Sequence, residues 1–242
     1  RPWKPFDNVH FVGVCWVSAW LIETSDGVVL IDTMYGPHVD QLIKNIHATG
    51  IDFADIRYVL MTHGHFDHVS DVAEIANRCG STVVANFEIA EWFAKNHSVE
   101  KTVGMNVGGS LDMPFGSIKM APAIHSSGLP DGSYGGVAAG FLLMLGDKKI
   151  YFACDTALFS DMKLIAEKEI DLAVLPIGDL YTMGPKDSAR AVNYLNAKQV
   201  LPSHYDTWPP IAQDADAWAE MVKAGSTTEP FVLKPGENHI LS

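Results

Sequence analysis

Thr62-His63-Gly64-His65-Phe66-Asp67-His68 is the stretch on which the reading of this chain turns. Three histidines and an aspartate within six residues arise by chance about once in a thousand chains of this length and composition. In an extended segment residues two apart point the same way, so His63 and His65 converge on one metal ion. Asp67 and His68 are neighbours; in the same extended reading they diverge and address a second site nearby. Gly64 removes the side chain between the first two ligands and lets the backbone turn sharply. Imidazole together with carboxylate suits zinc, iron, manganese or cobalt.

Outward from this cluster, each further candidate ligand follows an apolar run. The cluster itself follows the strand expected over Arg57–Met61. His125 follows a strand around Ile118–Ala121, Asp155 one over Ile150–Ala153, and His204 one over Gln199–Leu201. Ligand groups just beyond strand ends are the arrangement expected of an α/β active site. Taken alone, His125 or His204 reads as a hydrogen-bonded loop residue, and Asp155 as a cap for a helix opening at Asp161. Beside the 63–68 cluster they read as ligands, because two ions need more than four. His10, His38, His47, His97 and His239 have no such company and read as surface or core residues.

The remaining pattern is strand-rich with helices interleaved. Val9–Val12, Val17–Glu23 and Val28–Ile31 read as strands, with a hairpin turn at Ser25-Asp26-Gly27. A helix opens at Gly36-Pro37, runs to Ala48 and is closed by Gly50. Ser70–Arg78 reads as a helix stopped by Gly80, Thr82–Ala85 as a strand and Glu88–Lys95 as a helix. Val103–Leu145 holds several strands. Helices are then expected over Asp161–Glu167, Asp187–Asn196 and Asp214–Lys223, with strands over Leu172–Leu175 and Phe231–Leu233. One compact α/β domain over residues 1–242 is the simplest organisation.

Composition excludes several classes. Among 242 residues, 17 are basic and 29 acidic, a net charge of −12 with no basic run, which argues against nucleic-acid binding. No stretch approaches 18 consecutive apolar residues, so no transmembrane helix is expected. Cys15, Cys79 and Cys154 are odd in number and widely spaced, and read as reduced, mostly buried thiols. No leader pattern stands at Arg1, and a cytoplasmic location is expected ahead of a periplasmic or secreted one. Oligomeric state is not legible.

At these residues the chain resembles the metallo-β-lactamase superfamily, whose main mark is H-x-H-x-D-H. His125, Asp155 and His204 match its remaining ligand positions in order. The resemblance implies an αββα sandwich with the metals at one edge between two sheets. From about residue 58 onward the chain is most similar to a family of metal-dependent hydrolases related to the ascorbate-6-phosphate lactonases. The matching segments include Ala85-Asn86-Phe87-Glu88-Ile89-Ala90, Gly104-Met105-Asn106-Val107-Gly108-Gly109-Ser110, Thr182-Met183-Gly184-Pro185 and Leu233-Lys234-Pro235-Gly236-Glu237. Residues 1–57, with Val12-Gly13-Val14-Cys15-Trp16-Val17-Ser18-Ala19, look more like exported metallo-β-lactamases of the third subclass.

The resemblance implies that His63, His65 and His125 hold one ion, that Asp67, His68 and His204 hold another, and that Asp155 bridges the two. The ions are expected to be zinc, with manganese or iron as alternatives. A metal-bridging hydroxide would cleave an ester, lactone, amide or phosphoester bond of a small molecule, with Asp67 orienting it or relaying a proton. Third-subclass β-lactamases usually lack a bridging carboxylate, so Asp155 favours a general hydrolase; hydrolysis of penicillins or cephalosporins is the alternative. Thr62 and Thr156 flank ligands and are expected to hydrogen-bond to them. Trp16, Tyr35, Tyr181, Met183, Tyr205 and Trp208 fall in loops near the metal-bearing strand ends and are the expected substrate contacts.

Overall fold

Short aliphatic runs such as Val28–Ile31 and Val83–Ala85 lack the polar alternation of a half-solvated strand and suit parallel strands with both faces buried. A computed structural model describes residues 3–6, 8–13, 18–34, 39–165, 169–206 and 208–233. Its contacts divide the chain into two compact units. One takes residues 1–107, 126–138 and 234–242, the other residues 108–125 and 139–233.

The first unit holds a seven-stranded sheet in chain order: β1 (Trp3–Phe6), β2 (Val9–Phe11), β3 (Trp20–Thr24), β4 (Gly27–Ile31), β5 (Ile56–Leu60), β6 (Thr82–Asn86) and β7 (Thr102–Met105). β1 to β4 pair antiparallel and β4 to β7 parallel. The parallel connections carry α1 (Val39–Ala48), α2 (Phe66–Val69), α3 (Val72–Cys79) and α4 (Phe87–Asn96). Leu42 and Ile46 of α1, Val72 and Ile75 of α3, and Ile89 and Phe93 of α4 share a core with Leu30, Val59 and Val83 of the sheet. Each such side chain contributes about 1.5–3 kcal/mol on burial. α3 stops where Gly80 turns left-handed and its N–H bonds the Ala76 carbonyl.

The second unit holds β8 (Ser110–Met113), β9 (Gly116–Pro122), β10 (Ala139–Leu145), β11 (Lys148–Phe152), β12 (Ile170–Pro176), β13 (Ala197–Ser203) and β14 (Glu229–Pro230), again in chain order across the sheet. β8 to β11 pair antiparallel and β11 to β14 parallel. Helices α5 (Met162–Ile165), α6 (Pro185–Leu195) and α7 (Ala215–Gly225) accompany it. Val192, Leu195 and Trp218 from the helices share a core with Tyr151, Leu175 and Val200 from the strands.

Strand polarity places the chemistry. β9 and β11 are both antiparallel to β10, so the C-terminal ends of β9, β11, β12 and β13 share one sheet edge. In the first unit the C-terminal ends of β4, β5 and β6 do the same. No helix among the described residues is long and apolar enough to cross a membrane.

Three expectations shift. The strand expected over Phe231–Leu233 is not formed; β14 is the two residues before it, and Phe231 instead donates a single N–H bond to the Val200 carbonyl. The helix expected from Ser70 starts at Val72, because Phe66–Val69 closes a separate helical turn. The strand expected from Val17 starts at Trp20. The start of the first expected helix, at Gly36-Pro37, and residues 166–167 of the Asp161–Glu167 helix fall outside the described residues, while α1 covers Val39–Ala48 of the former.

Candidate metal centre

In the first unit the site is built from the ends of β4 and β5. Asp32, one residue beyond β4, is 2% exposed and adopts a φ of 55°, a conformation that costs a non-glycine residue energy and is held by its surroundings. Its Oδ1 accepts the Thr62 N–H at 2.9 Å and its Oδ2 accepts the Thr62 hydroxyl at 2.6 Å. The same Oδ2 lies 2.8 Å from His68 Nδ1. Thr62 Oγ1, having given its proton to Asp32, accepts from His63 Nδ1 at 3.0 Å. This network assigns the proton to Nδ1 of both His63 and His68, which leaves the Nε2 lone pairs for a metal.

The remaining distances follow the same logic. His63 Nε2 lies 3.1 Å from His65 Nδ1. His65 Nε2 meets the Ser126 hydroxyl at 2.9 Å, so Nδ1 is the nitrogen it presents beside His63. Asp67 Oδ2 lies 3.8 Å from His68 Nε2. The expectation that these two side chains diverge is therefore corrected: it assumed an extended segment, and α2 folds the backbone into a helical turn instead. The H-x-H turn is pinned from the far side, where Gly64 N–H donates to Ser127 Oγ at 2.9 Å. A Cβ on Gly64 would stand 3.1 Å from the Ser127 carbonyl oxygen, so the close approach of the two loops favours glycine.

In the second unit the ends of β9, β11 and β13 bring three candidates together. Asp155 Oδ2 lies 3.4 Å from His204 Nε2 and 3.8 Å from His125 Nε2. One carboxylate oxygen thus faces two imidazoles. Thr156 fixes the backbone around them. Its Oγ1 accepts the Ile124 N–H at 2.9 Å and its carbonyl accepts the Met183 N–H at 2.9 Å. Thr62 touches the side chain of a candidate ligand, His63, whereas Thr156 holds the loops beside His125 and Asp155.

These donors fit a divalent ion. Two ligand atoms about 2.0–2.1 Å from a shared ion at tetrahedral angles lie about 3.3 Å apart. The observed pairs range from 3.1 to 3.8 Å. Asp32, His63 and His68 also offer donor atoms within 4.8 Å of one another. Asp32 is better read as a support, since both its oxygens already accept from Thr62 and one orients His68.

The expected substrate contacts separate. Tyr181 is half exposed and stacks on Trp208, with centroids 5.8 Å apart and planes 11° from parallel. Tyr205 packs against the core of the second unit, and burial pushes its phenol up to about 12. Met183 is 2% exposed and lies within that core. Trp16 and Tyr35 fall outside the described residues. Sequence reasoning missed Asp32, Ser126 and Asn86. Asp32 had a signal, since it ends the apolar run Val28–Ile31 much as His63 ends Arg57–Met61.

A family profile described as beta-lactamase superfamily domain matches residues 28–205. A UPF0173 metal-dependent hydrolase of Thermus thermophilus is 47% identical over 190 residues, 78% of this chain and 83% of that protein. This chain belongs to the UPF0173 metal-dependent hydrolases of the beta-lactamase superfamily. A further hydrolase of that name from Enterococcus faecalis is 47% identical over 222 residues, 89% of this chain and 93% of its own. Among solved structures, a metallo hydrolase of the archaeon Ignicoccus hospitalis aligns over 98% of this hydrolase and 96% of itself, with 28% identity and a TM-score of 0.74. A metallo-β-lactamase fold protein of Bacillus subtilis aligns over 95% and 97% with 15% identity and a TM-score of 0.75, a likeness of fold alone. The α/β fold of the metallo-β-lactamase type expected for the hydrolase is thus the fold it has.

Proposed function

We propose that this metal-dependent hydrolase is dinuclear and that residues 1–242 form one catalytic domain. His63, His65 and His125 would hold one ion and Asp67, His68 and His204 the other, with Asp155 shared between them. The observation that carries this reading is which atoms stand near one another. Nε2 of His63 is near Nδ1 of His65, Oδ2 of Asp67 is near Nε2 of His68, and Oδ2 of Asp155 faces Nε2 of both His125 and His204. The opposite ring nitrogens of His63, His65 and His68 are held by Thr62, Ser126 and Asp32. His125 is joined by one peptide bond to Ser126, the residue that meets His65.

Zinc, or manganese or iron in its place, held by these residues would supply hydroxide at neutral pH and positive charge against the scissile carbonyl or phosphoryl oxygen. Asp67 would orient the attacking water or relay its proton. Asp32 and Thr62 keep the imidazoles in one tautomer throughout. The substrate is a small molecule carrying an ester, lactone, amide or phosphoester bond. The test is turnover of p-nitrophenyl acetate by zinc-loaded protein. Chelation abolishes it and His65→Ala lowers it at least about a hundredfold. Unchanged turnover in a purified, folded His65→Ala variant contradicts the reading.

A further inference from the structure

Residues 126–138, in the first unit, carry no histidine, no cysteine and one acid, Asp131. That acid is engaged within its own neighbourhood. Its Oδ1 accepts the Ser133 hydroxyl at 2.6 Å and the Ser133 N–H at 2.9 Å, and its Oδ2 accepts the Trp92 indole N–H at 2.7 Å. The Ser133 hydroxyl first, and the Trp92 indole after it, hold the carboxyl down at about 2. The segment thus brings no free ligand of its own, yet it is closely anchored. An antiparallel bridge between Gly128 and Tyr134 closes it as a hairpin. Leu129 is buried in the core of the first unit. Asn86 Nδ2 donates to the carbonyls of Gly135 at 2.7 Å and Val137 at 3.0 Å.

The hairpin meets the H-x-H stretch through two consecutive serines, and the two contacts differ in kind. Ser127 is buried and reaches the backbone. Its Oγ accepts the Gly64 N–H at 2.9 Å and donates to the Gly135 carbonyl at 2.8 Å, while the Gly135 N–H returns to the Ser127 carbonyl at 2.8 Å. Ser126 is exposed and reaches a side chain, with Oγ 2.9 Å from His65 Nε2. An imidazole turns about its bond to Cβ and carries its proton on either nitrogen unless something fixes it. Asp32 fixes His68 directly and His63 through Thr62. On His65 the corresponding group is Ser126. We infer that Ser126 is a positioning residue for His65: its hydroxyl accepts the Nε2 proton, keeps Nδ1 on the His63 side, and so sets zinc affinity while adding little to the stability of the metal-free chain. Ser127 does the converse, fixing where the turn lies and supporting the fold. The inference rests on the reading of His65 as a ligand. Loss of a group behind a ligand histidine weakens metal binding about 10–100-fold. Ser126 is neutral and exposed, so water replaces part of its hydrogen bond and the lower end of that range applies.

The test reads zinc affinity by competition with a chromogenic chelator, and metal-free stability by thermal melting of chelated protein. Ser126→Ala should weaken zinc binding about tenfold. It should move the metal-free melting temperature by no more than about 2 °C, as an exposed substitution does. Ser126→Thr keeps the hydroxyl and should bind zinc within about threefold of wild type. Ser127→Ala should lower the metal-free melting temperature by several degrees, because the buried Gly64 N–H loses its acceptor. In nitrogen-15 spectra of the histidine rings of zinc-loaded wild type, His65 should carry its proton on Nε2. Zinc affinity unchanged in Ser126→Ala, or lost equally in Ser126→Thr, overturns the inference. So does a metal-free melting temperature several degrees lower in Ser126→Ala, or a His65 proton on Nδ1 in the zinc-loaded protein. Zinc binding that weakens as expected, with no metal-dependent turnover of p-nitrophenyl acetate, supports the inference and contradicts the hydrolase reading. Metal-dependent turnover together with zinc binding indifferent to Ser126 does the reverse.

Discussion

Asp32 gathers three donors on one buried carboxylate: the Thr62 N–H, the Thr62 hydroxyl and His68 Nδ1–H. An amide in its place has one acceptor oxygen and turns two of its own N–H donors toward groups that also donate. Asp32→Asn should therefore weaken zinc binding about 10–100-fold, the range for loss of a carboxylate behind a ligand histidine. Titration calorimetry with zinc reads this, and an unchanged affinity would contradict the tautomer assignment. Asp71 makes a different residue-scale case. It is 5% exposed, its Oδ2 has no hydrogen-bond partner among the described residues, and burial, followed by the charge of Glu74, pushes its carboxyl up to about 7. An unfolded aspartate titrates near 4. The folded state therefore binds the proton more tightly; the stability this contributes is complete below about pH 4 and is lost as pH rises through about 7. Asp71→Asn removes the loss. In urea unfolding of chelated protein, the variant's advantage over wild type should grow from pH 5 to pH 8, reaching about 1–3 kcal/mol. The candidate ligands stand out in the sequence because His and Asp at this density have few other uses. Asp32 and Ser126 were not, because each acts on a histidine tens of residues away and a lone Asp or Ser at a strand end also suits an ordinary turn.

At the scale of elements, Asn86 joins β6, α4 and the 126–138 hairpin. Its Oδ1 caps α4 by accepting the Ile89 N–H at 2.9 Å, while Nδ2 bonds two hairpin carbonyls. Gly136, at a φ of 71°, passes so close that a Cβ there would stand 2.6 Å from Asn86 Nδ2. Asn86→Ala removes a cap worth about 0.5–2 kcal/mol and leaves buried carbonyls unpaired at about 1–3 kcal/mol more. Asn86→Ser keeps a capping oxygen and loses only the reach of Nδ2 to the hairpin. The melting temperature should fall by several degrees in the first variant and by less in the second, at about 2–4 °C per kcal/mol. Equal drops would show that the cap contributes nothing. Helix ends with glycine stops, at Gly50 and Gly80, were legible because a left-handed cap leaves a mark in the sequence. The turn Phe66–Val69 was hidden, being four residues long with the candidate ligands Asp67 and His68 at its centre, too short to show an apolar stripe. Phe231–Leu233 misled in the other direction, since an apolar run at a sheet edge reads as a strand whether or not it pairs.

At the scale of the whole molecule, the candidate ligands come from four strand ends spread over residues 63–204. The fold class was legible because the H-x-H-x-D-H stretch and the ligands after later strands recur in one order, and order survives where contacts are invisible. Ligands gathered from such distant segments couple metal binding to the folded state. Zinc at about 100 times its dissociation constant adds about 2.7 kcal/mol per site, so chelation should lower the melting temperature by about 5–10 °C per site emptied. A melting temperature indifferent to chelation would mean that these side chains hold no ion. The central claim is that Asp155 links two ions in one centre. Metal content per chain, measured by mass spectrometry after dialysis of zinc-loaded wild type and Asp155→Ala, tests it most directly. The account predicts about two ions in the wild type and one or fewer in the variant; a single ion in the wild type, or two retained in the variant, would contradict it.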